Sequence, residues 1–261
     1  MKINFHKYQG TGNDFILLDN RKNEFMLSND QVRRLCDRRF GVGADGLMLL
    51  NLKTGYDFEM KYYNADGREG SMCGNGARCM TKFAYQLGIH RYDYKFLAAD
   101  GLHEAEIDTD GTVSLKMKDV NIIRKFHNDF ILDTGSPHYV KMVTDVMNTD
   151  VYKKGHDIRH SKEFEDEGIN VNFVEQLDEP DKIMVRTFER GVEDETWSCG
   201  TGVTAAALVC FHNENGFNEV EVKTLGGRLN VEYDRVDDGR FKNIWLTGPA
   251  EKVFEGTVEI K

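Results

Sequence analysis

The sequence predicts an α+β fold of two similar halves, each a mostly antiparallel sheet wrapped around one buried helix. Three observations carry this. Short apolar or alternating runs recur along the chain, separated by Gly-containing turn pairs. The helical segment Val203 to Asn213 is apolar nearly all round, which buries it on every side. The turn Cys73-Gly74-Asn75-Gly76 returns as Cys199-Gly200-Thr201-Gly202, 126 residues on, close to half of the 261-residue chain.

The runs read as strands are Phe15 to Leu18, Leu47 to Leu50, Phe58 to Tyr63, Thr112 to Met117 and Tyr139 to Val143. Lys182 to Phe188, Val220 to Thr224, Arg228 to Tyr233, Phe241 to Leu246 and Val253 to Ile260 continue the series. The turn pairs Asp66-Gly67, Asp100-Gly101, Asp110-Gly111, Gly226-Gly227 and Asp238-Gly239 punctuate them, as in sheet built from hairpins. Three helices are expected. Ser28 to Phe40 opens with a Ser28/Gln31 capping box, carries Val32, Leu35, Cys36 and Phe40 on one stripe and stops at Gly41. Gly76 to Leu87 stops at Gly88, and Val203 to Asn213 stops at Gly216. The halves should divide near Val120, after the strand Thr112 to Met117.

The formal net charge is −10, which argues against a nucleic-acid partner because phosphate contacts need a basic face. No apolar run is long enough to span a bilayer and no signal stretch opens the chain, so a cytoplasmic location is expected. Five cysteines do not suggest a fully paired disulfide framework. The thiols are therefore core filler, metal ligands or reagents.

Cys73 and Cys199 each stand just ahead of a helix. Unpaired backbone N–H groups and the positive end of the helix dipole point there, which favours thiolate. Glycines beside each thiol let a ligand approach the backbone, whose N–H groups can cradle a carboxylate. Two such turns facing each other would place one thiol on each face of a bound carboxylate compound. One thiolate removes the α-proton and the other thiol returns one, with the helix ends stabilising the enolate-like charge. No cofactor is needed by this logic. Cys73 and Cys79 do not have zinc-knuckle spacing, so no metal is expected. Gly74-Asn75-Gly76 lacks the third glycine of a dinucleotide loop. Cys36, Cys79 and Cys210 fall on or near apolar stripes and are expected in the core.

At these residues the chain resembles the diaminopimelate epimerase family from end to end. The matching segments are Gly10-Thr11-Gly12-Asn13-Asp14-Phe15, Arg39-Phe40-Gly41-Val42-Gly43-Ala44-Asp45-Gly46 and Tyr63-Asn64-Ala65-Asp66-Gly67. They continue with Met72 to Cys79, Gly135-Ser136-Pro137-His138, Ile169 to Phe173, Glu189-Arg190-Gly191 and Glu195 to Gly202. The resemblance implies two pseudo-symmetric, barrel-like domains, each around a central helix, with the last strand returning to the first domain. It places them at 1–119 plus 250–261 and at 120–249, with the active site in the cleft between. It implies cofactor-independent interconversion of LL- and meso-2,6-diaminopimelate, in lysine and peptidoglycan synthesis, by a homodimer.

Carried over by position, the resemblance makes Cys73 and Cys199 the two catalytic bases, with His138 and Glu189 polarising the reacting centre. The α-carboxylate would lie on the N–H groups of Gly74, Asn75, Gly200 and Thr201. Asn13 and Glu189 would hold the α-ammonium, and Asn64, Asn170 and Arg190 would read the distal end. Two departures stand out: Ser136 where many members have Asn, and Gly46 where some have Gln. Two other readings stay open at this point. One is a racemase of the same fold acting on another substrate, of the proline racemase type. The other is a non-catalytic carboxylate-binding protein.

Overall fold

The computed structural model describes residues 1–70, 72–210 and 215–260. In chain order its first elements are β1 (Lys2–Gly10), β2 (Asn13–Asp19), α1 (Asn29–Cys36), β3 (Gly46–Asn51), β4 (Phe58–Asn64), α2 (Gly74–Gln86), β5 (Asp93–Ala98), β6 (Gly101–Ile107) and β7 (Val113–Lys116). There follow β8 (Arg124–Phe126), β9 (Asp129–Asp133), β10 (Pro137–Met142), α3 (Val151–Arg159), β11 (Asn170–Gln176), β12 (Lys182–Glu189) and β13 (Asp194–Thr196). The last are α4 (Gly200–Cys210), β14 (Gly216–Thr224), β15 (Gly227–Asp237), β16 (Arg240–Gly248) and β17 (Glu251–Glu259).

The chain divides into two compact units, Met1–Leu115 with Gly248–Lys261, and Lys116–Thr247. The first cut falls ahead of the expected 119/120 boundary. Its cause is that Met117 and Val120 hydrogen-bond by their backbones to Ile244 and Phe241, which ties this stretch to the second unit.

In the first unit the strands pair in the order β17, β1, β2, β3, β4, β5, β6, β7. Most pairs are antiparallel, and the turns Asp100-Gly101 and Asp110-Gly111 close hairpins as expected. Two pairs, β2 with β3 and β4 with β5, are parallel, because α1 and α2 lie between their partners in the chain. Helix α2 packs against β1, β2, β3, β4 and β6, and nearly all of it is buried. Helix α1 packs on β3, with Val32, Leu35 and Cys36 in a cluster with Ile16, Leu18, Leu47 and Leu49. Residues Phe15–Leu18 and Leu47–Leu50 are therefore covered on both faces, and an unbroken apolar run results where a half-exposed strand would alternate.

The capping box at Ser28 and Gln31 is present, but α1 ends at Cys36, short of the expected Phe40. Asp37 caps it in extended conformation, and its carboxylate accepts the N–H groups of Arg39 and Phe40, turning the chain out of the helix. Phe40 is consequently exposed and does not belong to the buried stripe.

The second unit repeats the plan, with strand order β8, β9, β10, β11, β12, β14, β15, β16 and β13 also paired to β12. Here β10 with β11 and β12 with β14 are parallel. Helix α4 packs against β9, β10, β11, β12, β14 and β15. Its residues are buried except Thr201 and Cys210, as its all-round apolarity requires. The expected end of this helix at Asn213 lies outside the described residues. Helix α3 packs on β11 and β12 from the other side, with Val151 clustered against Val171, Phe173 and Phe188. Each unit thus has one enclosed helix, and each enclosed helix begins beside a cysteine.

Candidate active site

In the first unit, Cys73 is the N-cap of α2, in extended conformation (φ −117°, ψ 120°), and makes no side-chain cap hydrogen bond. The first helical bond runs from Ala77 N–H to Cys73 C=O, 2.7 Å. The N–H groups of Gly74 and Asn75 precede it and point to the same end as the sulfur. Cys73 Sγ lies 3.6 Å from Asn13 Oδ1. Asn13 Nδ2 donates to Asp45 Oδ2 at 2.7 Å, so the amide oxygen is the atom turned toward the thiol and toward Asn75 Nδ2, 3.4 Å away. Asp45 is held by Arg38, 2.7 Å, which also binds Asp14, and Asp14 pairs with the buried Lys7, 2.7 Å. Burial works to raise the Asp14 pKa, but the bonds from Arg38 and Lys7 outweigh it and hold the carboxyl down at about 2.

Behind Cys73, Arg78 is fully buried in α2. Its Nη2 donates to Thr11 Oγ1 at 3.4 Å, and its Nε and Nη1 have no hydrogen-bond partner among the described residues. Burial pushes its pKa down, while the Cys79 and Cys73 sulfurs pull it up. A guanidinium so placed favours negative charge at the start of the helix. Asn64 ends β4, exposed, where its backbone C=O accepts from Gly67 N–H.

In the second unit, Cys199 stands directly before α4, and Val203 N–H donates to its C=O at 2.8 Å. The N–H groups of Gly200 and Thr201 precede this bond. Cys199 Sγ is 3.5 Å from Thr201 Oγ1, which is 3.3 Å from Ser136 Oγ. Ser136 Oγ is 3.0 Å from His138 Nε2 and accepts from Asn170 Nδ2 at 3.2 Å. Asn170 Oδ1 accepts the Arg190 N–H at 2.9 Å. Arg190 Nη1 donates to Glu167 C=O, 3.0 Å, and Glu189 Oε2 accepts from Thr196 Oγ1, 2.9 Å. Most of the expected site residues fall into two sets, with Asn64 at the end of β4 and Glu189 at the end of β12. Cys73, Asn13 and Asn75 are brought together in one unit. Cys199, Thr201, His138, Asn170 and Arg190 are linked in the other.

Several residues at these turns carry no signal of their own in the sequence. Asn172 is fully buried, donates to His138 and to Tyr139 C=O, and accepts from Thr187 Oγ1. Thr134 Oγ1 donates to Thr201 C=O at 2.8 Å. Asp45 orients Asn13. The signal available for these was the duplication: Thr11-Gly12-Asn13 runs into β2 and Thr134-Gly135-Ser136 leads into β10, at matching places in the two units.

His138 has no exposed surface, and burial first, with the Arg190 charge second, pushes its pKa down to about 3. The folded ring is thus neutral where the unfolded one, near 6.5, takes up a proton. Its stabilising effect is full above pH 6.5 and is lost as pH falls from there toward 3. Folding stability is expected to fall on acidification through this window, with this group adding up to about 1.4 kcal/mol per pH unit. Urea unfolding at pH 4 to 7 should show that slope reduced in His138→Gln.

The other thiols differ. None of the five cysteines is joined in a disulfide. Burial pushes Cys36, Cys79 and Cys210 each up to about 12, so none is a thiolate at neutral pH. Cys36 and Cys79 are core residues, whereas Cys210 is only partly covered. Among the described residues no three His, Cys, Asp or Glu side chains converge as metal ligands do, and no helix is long and apolar enough to cross a membrane.

The family model described as diaminopimelate epimerase matches residues 5–123 and 130–253. A diaminopimelate epimerase of Flavobacterium psychrophilum is 46% identical over 258 residues, covering 98% of this chain and 100% of its own. That of Chlorobaculum tepidum is 44% identical over 260 residues, covering 96% and 99%. Among solved structures, a Bacillus anthracis phenazine biosynthesis protein of the PhzF family superposes with a TM-score of 0.78 at 16% identity, covering 100% of both chains. That last likeness concerns the fold alone.

Proposed function

The chain belongs to the diaminopimelate epimerase family, and from that premise we propose that it interconverts LL- and meso-2,6-diaminopimelate with Cys73 and Cys199 as its two bases. The observation that supports this most is the paired arrangement. Each unit encloses one helix, and each helix begins at a glycine turn bearing a thiol.

In this reading the α-carboxylate lies on the N–H groups of Gly74, Asn75, Gly200 and Thr201. One thiolate takes the α-hydrogen, and the C–H electron pair moves onto the carboxylate, where the two helix ends stabilise it. The thiol on the opposite face gives a proton to the α-carbon, and the centre is inverted. Asn13 Oδ1 and the Glu189 carboxylate hold the α-ammonium, and Asn64, Asn170 and Arg190 receive the distal amino-acid end. His138, neutral in its buried site, acts as a hydrogen-bonding group, not as a cation. The thiols supply both proton transfers, so the reaction draws on no cofactor. As part of the same proposal the chain works as a cytoplasmic homodimer, which the family resemblance implies.

Incubating the purified, reduced chain with LL-diaminopimelate, without pyridoxal phosphate or metal, tests this. Meso isomer should form until both diastereomers are present at equilibrium, and L-proline should not racemise because it lacks a distal charged end for Arg190 and Asn170. Turnover of proline but not of diaminopimelate would overturn the substrate assignment.

A further inference from the structure

The segment Arg39 to Gly46, one of the stretches that mark the family, takes no part in the proton transfers. It is folded back onto the end of α1. Val42 and Gly43 N–H donate to Leu35 C=O at 2.9 and 3.0 Å, and Ala44 N–H donates to Cys36 C=O at 3.0 Å. A Cβ on Gly41 would run into the carbonyls of Arg34 and Leu35, so glycine is what lets the chain return so closely. The fold-back brings Asp45 to a fixed point beside two strands. Its N–H donates to Asp14 C=O at 3.0 Å, and its C=O accepts from Ala65 N–H at 3.1 Å. Asp14 follows Asn13 in β2, and Ala65 follows Asn64 at the end of β4.

The Asp45 carboxylate divides its two oxygens. Oδ1 accepts from Arg38 Nη2 at 2.7 Å, and Oδ2 accepts from Asn13 Nδ2 at 2.7 Å and from the Asp14 N–H at 3.2 Å. Arg38 is itself held, since its Nη1 and Nη2 both bind the Asp14 carboxylate, at 2.9 and 2.7 Å. Asp14 pairs in turn with the buried Lys7, which also donates to Gly43 C=O. Two cations and two carboxylates close a balanced cluster here, so neither Asp45 nor Arg38 is placed by a single contact. A carboxylate offers only acceptors, so the Asn13 atom facing it is the amide NH2. The Asn13 carbonyl oxygen is thereby turned away from the cluster.

We propose that Asp45 is a positioning residue that fixes which end of the Asn13 amide is offered to the substrate, the oxygen outward. This rests on the reading in which Asn13 Oδ1 holds the α-ammonium. An amide free to turn would present its NH2 part of the time, and a donor there repels an ammonium group. An amide held by Asp45 presents only its oxygen, so the orientation is set in folding and not at binding. Arg38 occupies the other Asp45 oxygen and keeps the carboxylate from turning away, and the Lys7–Asp14 pair holds Arg38. Asp45 itself touches neither the substrate nor the reacting atoms and acts through Asn13.

Two measurements on the full chain test this, one without substrate. In the ligand-free, 15N-labelled chain, the Asn13 side-chain NH2 signal is identified by its loss in Asn13→Ala. Held on Asp45, its bonded hydrogen should exchange with water about tenfold more slowly than in Asp45→Ala. Equal exchange in the two chains would overturn the proposal. The second measurement is a double-mutant cycle on kcat/KM for LL-diaminopimelate. Asp45→Ala should lower kcat/KM about tenfold in the parent chain. In the Asn13→Ala background, where no amide is left to orient, the same substitution should change it less than about twofold. A residue that merely supported the fold would lower kcat/KM by the same factor in both backgrounds, and that result would overturn the proposal. Slowed exchange in a chain that does not turn over diaminopimelate would uphold the amide orientation and overturn the substrate reading, so the two failures are distinct.

Discussion

Cys73→Ala and Cys199→Ala are each expected to lower the kcat for diaminopimelate interconversion by about 100- to 10,000-fold, the usual worth of a positioned acid or base. In the proposed mechanism each thiol serves as base in one direction and as acid in the other, so each variant should lose both directions. Assay by chiral separation of the LL and meso isomers checks this. The fold should survive. Cys73 is only partly covered, and alanine at Cys199 removes one sulfur from the start of an otherwise intact helix. Cys36→Ala, by contrast, should cost stability and leave turnover unchanged, because burial keeps that thiol protonated. Full activity in either turn variant would remove the two-base account.

The second large effect concerns the glycines at the third helical positions of the two turns. A Cβ on Gly202 would collide with Asn172 Oδ1, and it would stand 3.4 Å from Cys199 Cβ. Asn172 cannot step aside, since His138, Tyr139 and Thr187 hold its amide at both ends. Gly202→Ala is therefore expected to cost about 1–3 kcal/mol of stability, the usual penalty for overpacking, and to break the contacts around His138. In a chain of this size, that corresponds to a fall in Tm of about 2–4 °C per kcal/mol. The equivalent Gly76 faces the Met48 side-chain end instead. A methionine methyl can rotate away, so Gly76→Ala should cost less. Thermal unfolding of the pair measures the difference, and a Tm loss at Gly76 equal to that at Gly202 would contradict it.

Much of this architecture was legible in the sequence, for identifiable reasons. Strands covered on both faces show as unbroken apolar runs, as at Leu47–Leu50, and hairpins show as Asp-Gly pairs. The enclosed helix α4 shows as a segment with no polar side. What stayed hidden is where polar residues are buried. Strand β1 was missed because Lys7 occupies a buried position and breaks its alternation; Asp14 pairs with that lysine inside the protein. Strand β11 was missed because Asn170 and Asn172 interrupt it, and both are buried as parts of the site. Helix α3 was missed because Gly155 sits in its middle, where a Cβ would collide with Phe188. A glycine that weakens a helix in isolation is kept here to let two elements approach.

The site followed the same rule. The two thiols and their glycine turns were legible because the pattern occurs twice at half-chain spacing. Asn172, Thr134 and Asp45 were not, since each acts through a hydrogen-bond partner far away in sequence. The Ser136 position, noted as a departure from the family, gained a different meaning in the structure: its hydroxyl lies between His138 and Thr201.

The most direct measurement of the two-base claim is the position of deuterium after partial conversion of LL-diaminopimelate in D2O. With one thiol on each face, the meso product should carry solvent deuterium at the inverted carbon, while the remaining LL isomer stays unlabelled at early times. A meso product that retains the substrate's own α-hydrogen, or label entering the LL pool as fast as product forms, would contradict it.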